Sequence, residues 1–541
     1  MKFKFFLLLA LCFGFQADRT FAQEKAPENW FNLDPATSNV NGVSTDKTYN
    51  SLLKGKNSQP VIVAVLDSGV DYEHEDLKSI MWVNPGEIAG NGIDDDKNGY
   101  VDDVHGWNFI GGKDGKNVDH DTYEITRLYA KYSKEFKDVK EEDLSRKQKK
   151  RYQKYLKIKE AYEEKKKGIE KEAPMVLMLQ GGIDKLTKHF NKKDFSLEDL
   201  NSLDTKDQDV QQAATMLKAI LAQGLSVKDL TGYLNYISSS LDYGYNPDFN
   251  PRNIVGDNYE DSSEKYYGNN DVRGPDSEHG THVAGIIAAS RGNDMGMDGV
   301  ANNVRIMSVR TVPNGDERDK DVANAIIYAV DNGAKIINMS FGKAYGTDKR
   351  AVDKAVKYAK KKDVLLIHSS GNDGIDRDET KSFPHDTYEK RCWFCPKQAK
   401  NWLEVGASSW KGGENLAAEF SNYGKENVDV FAPGVDIYST VPDGKYKDNS
   451  GTSMASPVVS GIAAILRSYY PKLSAKQVKE AIMKSCEPMS QEVIVPGSQT
   501  DKKPFKALSV SGGVVNLYKA VQIASQMKGK KKVKKPNIVM P

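Results

Sequence analysis

The chain has 541 residues, 39% of them hydrophobic and 28% charged, with 77 Lys and Arg against 75 Asp and Glu for a formal charge of +2. This length supports a large core, and the charge balance argues against a protein dedicated to nucleic acid or to an anionic membrane surface.

The chain opens "MKFKFFLLLALCFGFQ", in which Lys2 and Lys4 precede an apolar run too short to span a bilayer. Thr20 and Ala22 occupy the small positions before a cleavage site, so residues 1–22 read as a signal peptide. The mature chain is then expected in the periplasm or outside the cell, with no stable membrane insertion. Residues 23–60 form an N-terminal extension too short to fold alone.

In "PVIVAVLDSGVD" the apolar run from Val61 to Leu66 predicts a buried parallel strand with Asp67 at its C-terminal end. "NGIDDDKNGYVDDVHGWNF" follows, carrying Asp94, Asp96, Asn98, Gly99 and Asp102 in the spacing D-x-D-x-N-G-x-x-D. Alternate oxygen ligands, joined by the Tyr100 carbonyl, would wrap a structural Ca²⁺ ion. His105 stands where an EF-hand has its bidentate Glu, and a solvated acidic hairpin is the other reading.

Residues 122–245 form a block rich in Lys and Glu with helical periodicity. Ile125, Leu128, Tyr129, Tyr132 and Phe136 share one face, and Tyr152, Tyr155, Ile158 and Tyr162 form a stripe. Leu179, Ile183, Leu186 and Phe190 make a third face, and Met216, Leu217, Ile220 and Leu221 a fourth. Gly181, Gly182 and Gly224 mark expected breaks. The block reads as a large helical insertion, either solvated decoration or a lid or exosite that restricts substrate access.

"DSEHGTHVAGIIAAS" places His279 before a helical apolar run, with Gly280 and Gly285 permitting close backbone approach. His282 reads as a packed residue. Expected strands at 61–66, 304–310, 335–340, 364–369 and 402–407 alternate with helices at 280–290, 320–332, 349–361 and 454–469. That order predicts a three-layer α/β/α fold around a mostly parallel sheet, formed by residues 61–121 and 246–525. Ligands bind such sheets at the C-terminal strand ends, where Asp67 falls.

"AKIINMSFGKA" is a strand running into Ser340, Phe341 and Gly342, and "KKDVLLIHSSGNDG" is another ending in a turn at Gly371 and Asn372. Cys392 and Cys395 in "EKRCWFCPKQ" leave three readings open: a local disulfide or packed thiol pair, a redox pair, or part of a zinc site. The first is the expectation. Cys486 reads as a buried thiol. Residues 526–541 make a solvated basic tail.

"SGTSMASPVVSG" sets Ser453 at the start of an apolar helix, where unpaired N–H groups and the helix dipole favour a developing oxyanion. A serine hydroxyl needs a base and an orienting group to become a nucleophile. The chain order Asp67, His279, Ser453 is one of the few that builds an acyl-transfer triad.

Together, "VAVLDSGVDYEHEDL", "HGTHVAG" and "SGTSMASPVVSG" resemble the three signature segments of the subtilase, or subtilisin-like, serine peptidases. The resemblance covers about residues 30–110 and 250–525. It implies a subtilisin-like fold and an exported serine endopeptidase acting on protein or peptide substrates without an organic cofactor. It implies that Asn372 donates to the oxyanion beside the N–H of Ser453. Ser340, Phe341 and Gly342 would line the substrate cleft, and "SFPHD" at 382–386 the far wall of the primary pocket. Subtilases often carry a prodomain; the extension has no room for a globular one, so the enzyme folds without it or the insertion takes over part of that task. The alternative is a catalytically silent binding or scaffold protein acting through its insertion.

Overall fold

All seven residues of the strand Val61–Asp67 are buried, because both faces of the sheet it occupies are covered by helices. The computed structural model describes residues 25–389 and 396–529. The signal segment, Cys392, Cys395 and the tail from residue 530 lie outside the described residues.

The described residues divide into two compact units. The first comprises residues up to Asp119, Arg252–Pro313 and the chain from Glu317 onward. Its sheet contains β1 (Val61–Asp67), β2 (Gly106–Asn108), β3 (Val304–Arg310), β4 (Ile336–Met339), β5 (Leu365–Ser369), β6 (Trp402–Ser408) and β7 (Val430–Pro433). The order is β2-β3-β1-β4-β5-β6-β7, and every pairing is parallel. Val61 lies opposite Val304, and Asp67 opposite Arg310.

Val63 and Val65 point into one core with Ile306, Ile367 and Val405, against the helices Glu278–Ala288 and Thr452–Tyr469. Ile62, Ala64 and Leu66 point into the other with Met307, Ile337 and Leu366, against Asp319–Asp331 and Lys349–Lys361. Two buried faces explain why β1 is apolar throughout rather than alternating. Each fully buried Val, Leu or Ile contributes about 1.5–3 kcal/mol. The chain leaves β3, crosses over β1 and continues into β4. The crevice at this reversal, outside the strand ends, is where an open α/β sheet binds its ligand.

The second unit comprises His120–Pro251 and Asn314–Asp316. Its main helices are Glu124–Phe136, Arg146–Phe190, Gln208–Leu221 and Val227–Ser239. It is wider than the block read from the sequence because Asp121 N bonds to Asn314 O at 3.1 Å and Glu124 N to Asp316 Oδ2 at 2.8 Å. Ser145 with Gln148, and Ser226 with Asp229, form reciprocal capping boxes that start two of the helices.

The expected breaks at Gly181 and Gly182 do not occur. The helix Arg146–Phe190 runs through both. A Cβ on Gly182 would stand 2.8 Å from Met216 Cε, so this glycine serves close helix packing rather than a turn. Gly224, with φ +88°, does follow a helix end. Leu217 is fully buried among Leu179, Ile183, Leu186, Leu230 and Leu234. Leu217→Ala is expected to destabilise this unit by about 2–5 kcal/mol, read by denaturant unfolding with a probe inside it.

Candidate active site

Asp67 ends β1, and its side chain is 2% exposed. Its Oδ1 accepts from Ser68 N at 2.8 Å and from His279 Nδ1 at 2.7 Å. A carboxylate only accepts, so the imidazole proton sits on Nδ1 and leaves Nε2 as a base. The turn after Asp67 is anchored from β3, where the buried Arg310 donates Nε to Ser68 O at 2.8 Å and Nη2 to Val118 O at 2.6 Å.

His279 is the second residue of the helix Glu278–Ala288, and its side chain is 41% exposed, so the ring edge away from Asp67 meets solvent. The helix can start this close to β1 because residue 280 is glycine: a Cβ there would lie 2.1 Å from Gly69 O. Burial opposes charging of the ring, but the Asp67 charge and hydrogen bond outweigh it and raise the His279 pKa above the ordinary 6.5. His282 differs. It is fully buried, its Nε2 donates to Lys447 O at 2.9 Å, and burial pushes its pKa down to about 3, which fits a packed neutral ring.

Ser453 is the second residue of the helix Thr452–Tyr469, and its Oγ donates to Ser340 O at 3.1 Å. Pro457 in this helix has no N–H for the carbonyl four residues back. That carbonyl belongs to Ser453, and Ser340 Oγ donates to it at 3.0 Å instead. Ser340 Oγ also accepts from Asn338 Nδ2 at 2.9 Å and pairs with Ser456 Oγ at 2.8 Å, which fills its one donor and two acceptor positions. The Ser340 side chain therefore braces the serine helix. Phe341 is buried, and Gly342 is exposed. Lys343 and Phe383 exchange both backbone hydrogen bonds at 2.8 Å, which joins the strand after β4 to the segment 382–386.

Gly371, with φ +103°, makes the turn that presents Asn372, a backbone conformation that strains any residue with a Cβ. Asn372 Oδ1 accepts from both the N and Oγ1 of Thr452 at 2.8 Å. This fixes the amide so that Nδ2 is the group left to donate outward. A Cβ on Gly451 would lie 3.3 Å from Asn372 Nδ2 and 3.6 Å from Ser453 N. Both nitrogens thus lie close to one point beside the serine helix start. Thr452 and Arg310 escape a reading of the sequence, because their roles depend on contacts distant along the chain.

The residues of the acidic loop lie close together but take two kinds of partner. Asp94 accepts from Asn98 N and Gly99 N, and Asn98 Oδ1 from Tyr100 N. Asp102 accepts from Gly90 N, Asn91 N and Gly92 N. These carboxylates organise the loop backbone. The carboxylates whose oxygens converge within 4.8 Å are Glu87, Asp96 and Asp103, and only Asp96 belongs to the ligand set read from spacing. Burial raises the Asp103 carboxyl to about 7, and Asn84, Asn98 and Tyr328 donate to it. An all-oxygen set of three carboxylates matches the preference of a hard divalent cation.

Among the described residues no helix is long and apolar enough to cross a membrane. The model of the subtilase family, Peptidase_S8, matches residues 58–513. The chain is 40% identical over 233 residues to a thermophilic serine proteinase of a Bacillus species, covering 43% of this chain and 51% of that protein. It is 37% identical over 208 residues to subtilisin DY of Bacillus licheniformis, covering 38% and 68%. It is 36% identical over 245 residues to thermitase of Thermoactinomyces vulgaris, covering 45% and 75%. The chain thus spans about half the length of the Bacillus thermophilic proteinase.

Proposed function

The chain belongs to the subtilase family of serine peptidases, and from that premise we propose that it is an exported endopeptidase using Asp67, His279 and Ser453, with Asn372 as oxyanion donor. The observation that carries this reading is the 2.7 Å Asp67–His279 hydrogen bond, and the approach of Asn372 Nδ2 and Ser453 N to one point at Gly451 supports the oxyanion assignment.

In this mechanism the Ser453 hydroxyl turns from Ser340 O to His279 Nε2, which takes its proton as Oγ attacks the peptide carbonyl carbon. Asn372 Nδ2 and Ser453 N donate to the oxygen that becomes negative. Asp67 stabilises the imidazolium. As the C–N bond breaks, His279 gives the proton to the departing amine and leaves an ester on Ser453. Water then attacks that ester through the same base, releasing the acid and restoring the hydroxyl. Ser340–Gly342 and the segment 382–386 would form the two walls that receive the extended peptide.

Two results test this scheme. Asn372→Ala is expected to lower kcat about 100- to 1000-fold while KM changes little, measured on a chromogenic peptide. The pH profile follows from His279: only its neutral form accepts the Ser453 proton, and its pKa is raised. Wild-type kcat/KM should therefore fall, as pH is lowered, through a midpoint above 6.5. A midpoint well below that value would mean that another group is titrating.

Glu87, Asp96 and Asp103 would hold a structural Ca²⁺ ion, which would neutralise their mutual repulsion. Millimolar Ca²⁺ should raise the Tm of the wild-type chain, and Asp96→Ala should remove that shift. Export predicts a mature N-terminus at Gln23, read by mass spectrometry of the secreted chain.

A further inference from the structure

Beneath the segment read as the substrate strand lies a histidine that the peptidase mechanism does not use. His368 is the fourth residue of β5, four residues before Asn372 on the same continuous segment, and it is fully buried. Its Nδ1 lies 3.0 Å from both carboxylate oxygens of Glu404, which faces it in register from β6. Trp402 Nε1 donates to the same carboxylate at 2.8 Å, and an Arg377 nitrogen stands 3.9 Å from it. The other ring nitrogen, Nε2, is buried and has no hydrogen-bond partner among the described residues. An unpaired buried polar atom of this kind is costly, so Nε2 is a group that gains from a donor brought to it.

Gly342 lies against the ring edge that carries Nε2. A Cβ placed on Gly342 would lie 3.8 Å from both Cε1 and Nε2 of His368 and 3.4 Å from Phe383 O. Gly342 is exposed and carries no side chain where it lies against the buried ring nitrogen. Phe341 sits edge-on to the imidazole at 6.3 Å between ring centroids, and Trp402 at 5.1 Å closes another side.

Resting on the reading that Gly342 and Phe383 line the primary pocket, we propose that His368 Nε2 is the specificity-determining group of that pocket. It selects a neutral hydrogen-bond donor on the residue whose carbonyl is attacked. Glu404 can only accept, so it fixes the proton on Nδ1 and leaves a lone pair on Nε2. A tyrosine hydroxyl or a glutamine amide supplies the proton that this lone pair lacks, whereas phenylalanine and methionine of matching shape leave it unpaired. The Glu404 charge is already met by Trp402, His368 and Arg377, so a cationic side chain gains no free carboxylate there. A site built to hydrogen-bond its substrate discriminates against the analogue that lacks the group.

The experiment compares kcat/KM of the full-length wild-type enzyme on four peptides that differ only at this residue: Tyr against Phe, and Gln against Met. The inference expects Tyr over Phe and Gln over Met by about tenfold each, which corresponds to one net hydrogen bond. Ratios near or below one overturn it. His368→Leu should bring both ratios to about one while cleavage after Phe and Met continues; ratios kept at their wild-type values in that variant also overturn it. Gly342→Ala separates this inference from the reading beneath it. Narrowing a real pocket wall shifts preference from Phe toward Ala at the same residue whether or not His368 takes part. A shift with Gly342→Ala but matched-pair ratios near one defeats the His368 inference alone, and no shift defeats the pocket reading and the inference with it.

Discussion

Ser453→Ala is expected to lower peptide cleavage by about a millionfold in kcat, the scale on which a triad nucleophile acts together with its base. The loss exceeds that of any other single substitution because the change removes the atom that forms the acyl bond, not merely a group that stabilises charge. The helix Thr452–Tyr469 should survive it. Its register is held by Val458, Val459, Ile462 and Ile465 in the core and by the Ser340 Oγ bond to the Ser453 carbonyl, none of which needs the Ser453 hydroxyl. The measurement is steady-state cleavage of a peptide by a variant whose unfolding midpoint matches wild type. Cleavage within tenfold of wild type would reject an acyl-enzyme at this residue.

Asp67→Asn is the second large effect, about ten-thousandfold in kcat. The amide that replaces the carboxylate can present its NH₂ to His279 Nδ1. That nitrogen then becomes the acceptor, and the ring proton moves to Nε2, the atom that must be free to take the proton of Ser453. Ser68 N bonds to the same oxygen, Oδ1, that His279 meets, so an NH₂ placed there gives up the Ser68 N bond, and Arg310 Nε on Ser68 O is left to hold the turn after β1. The loss should also depend on pH differently from wild type. Without the carboxylate charge the imidazole pKa is no longer raised, and the residual activity should persist to lower pH than in the wild-type chain. A kcat loss below about tenfold would mean that Asp67 does not set the tautomer.

The two largest expected effects fall on residues that short motifs single out, and the reason is local chemistry. Asp67 at a strand end, His279 at a helix start and Ser453 after a small-residue turn each stand out through a few neighbouring residues. The apolar runs of β1, β3, β4, β5 and β6 are similarly plain, since strands buried on both faces carry few polar residues. The short edge strands β2 and β7, at Gly106–Asn108 and Val430–Pro433, are not, because three or four residues carry no measurable period. Gly182 misleads for a related reason: a glycine that admits a neighbouring helix looks, in one dimension, like a glycine that ends one. Convergence of distant side chains is the least legible. Glu87 and Asp103 come together with Asp96 through loop geometry rather than regular spacing. Thr452 meets Asn372, and His368 meets Glu404, only through the order and register of neighbouring elements.

The central claim is that Ser453 is an activated nucleophile, and it is tested most directly by reacting the folded chain with a fluorophosphonate and locating the adduct by peptide mass spectrometry. The account predicts one adduct, on Ser453, that disappears in Asp67→Asn on the time scale of wild-type labelling. A folded chain that takes up no label, or takes it at another serine, would contradict it.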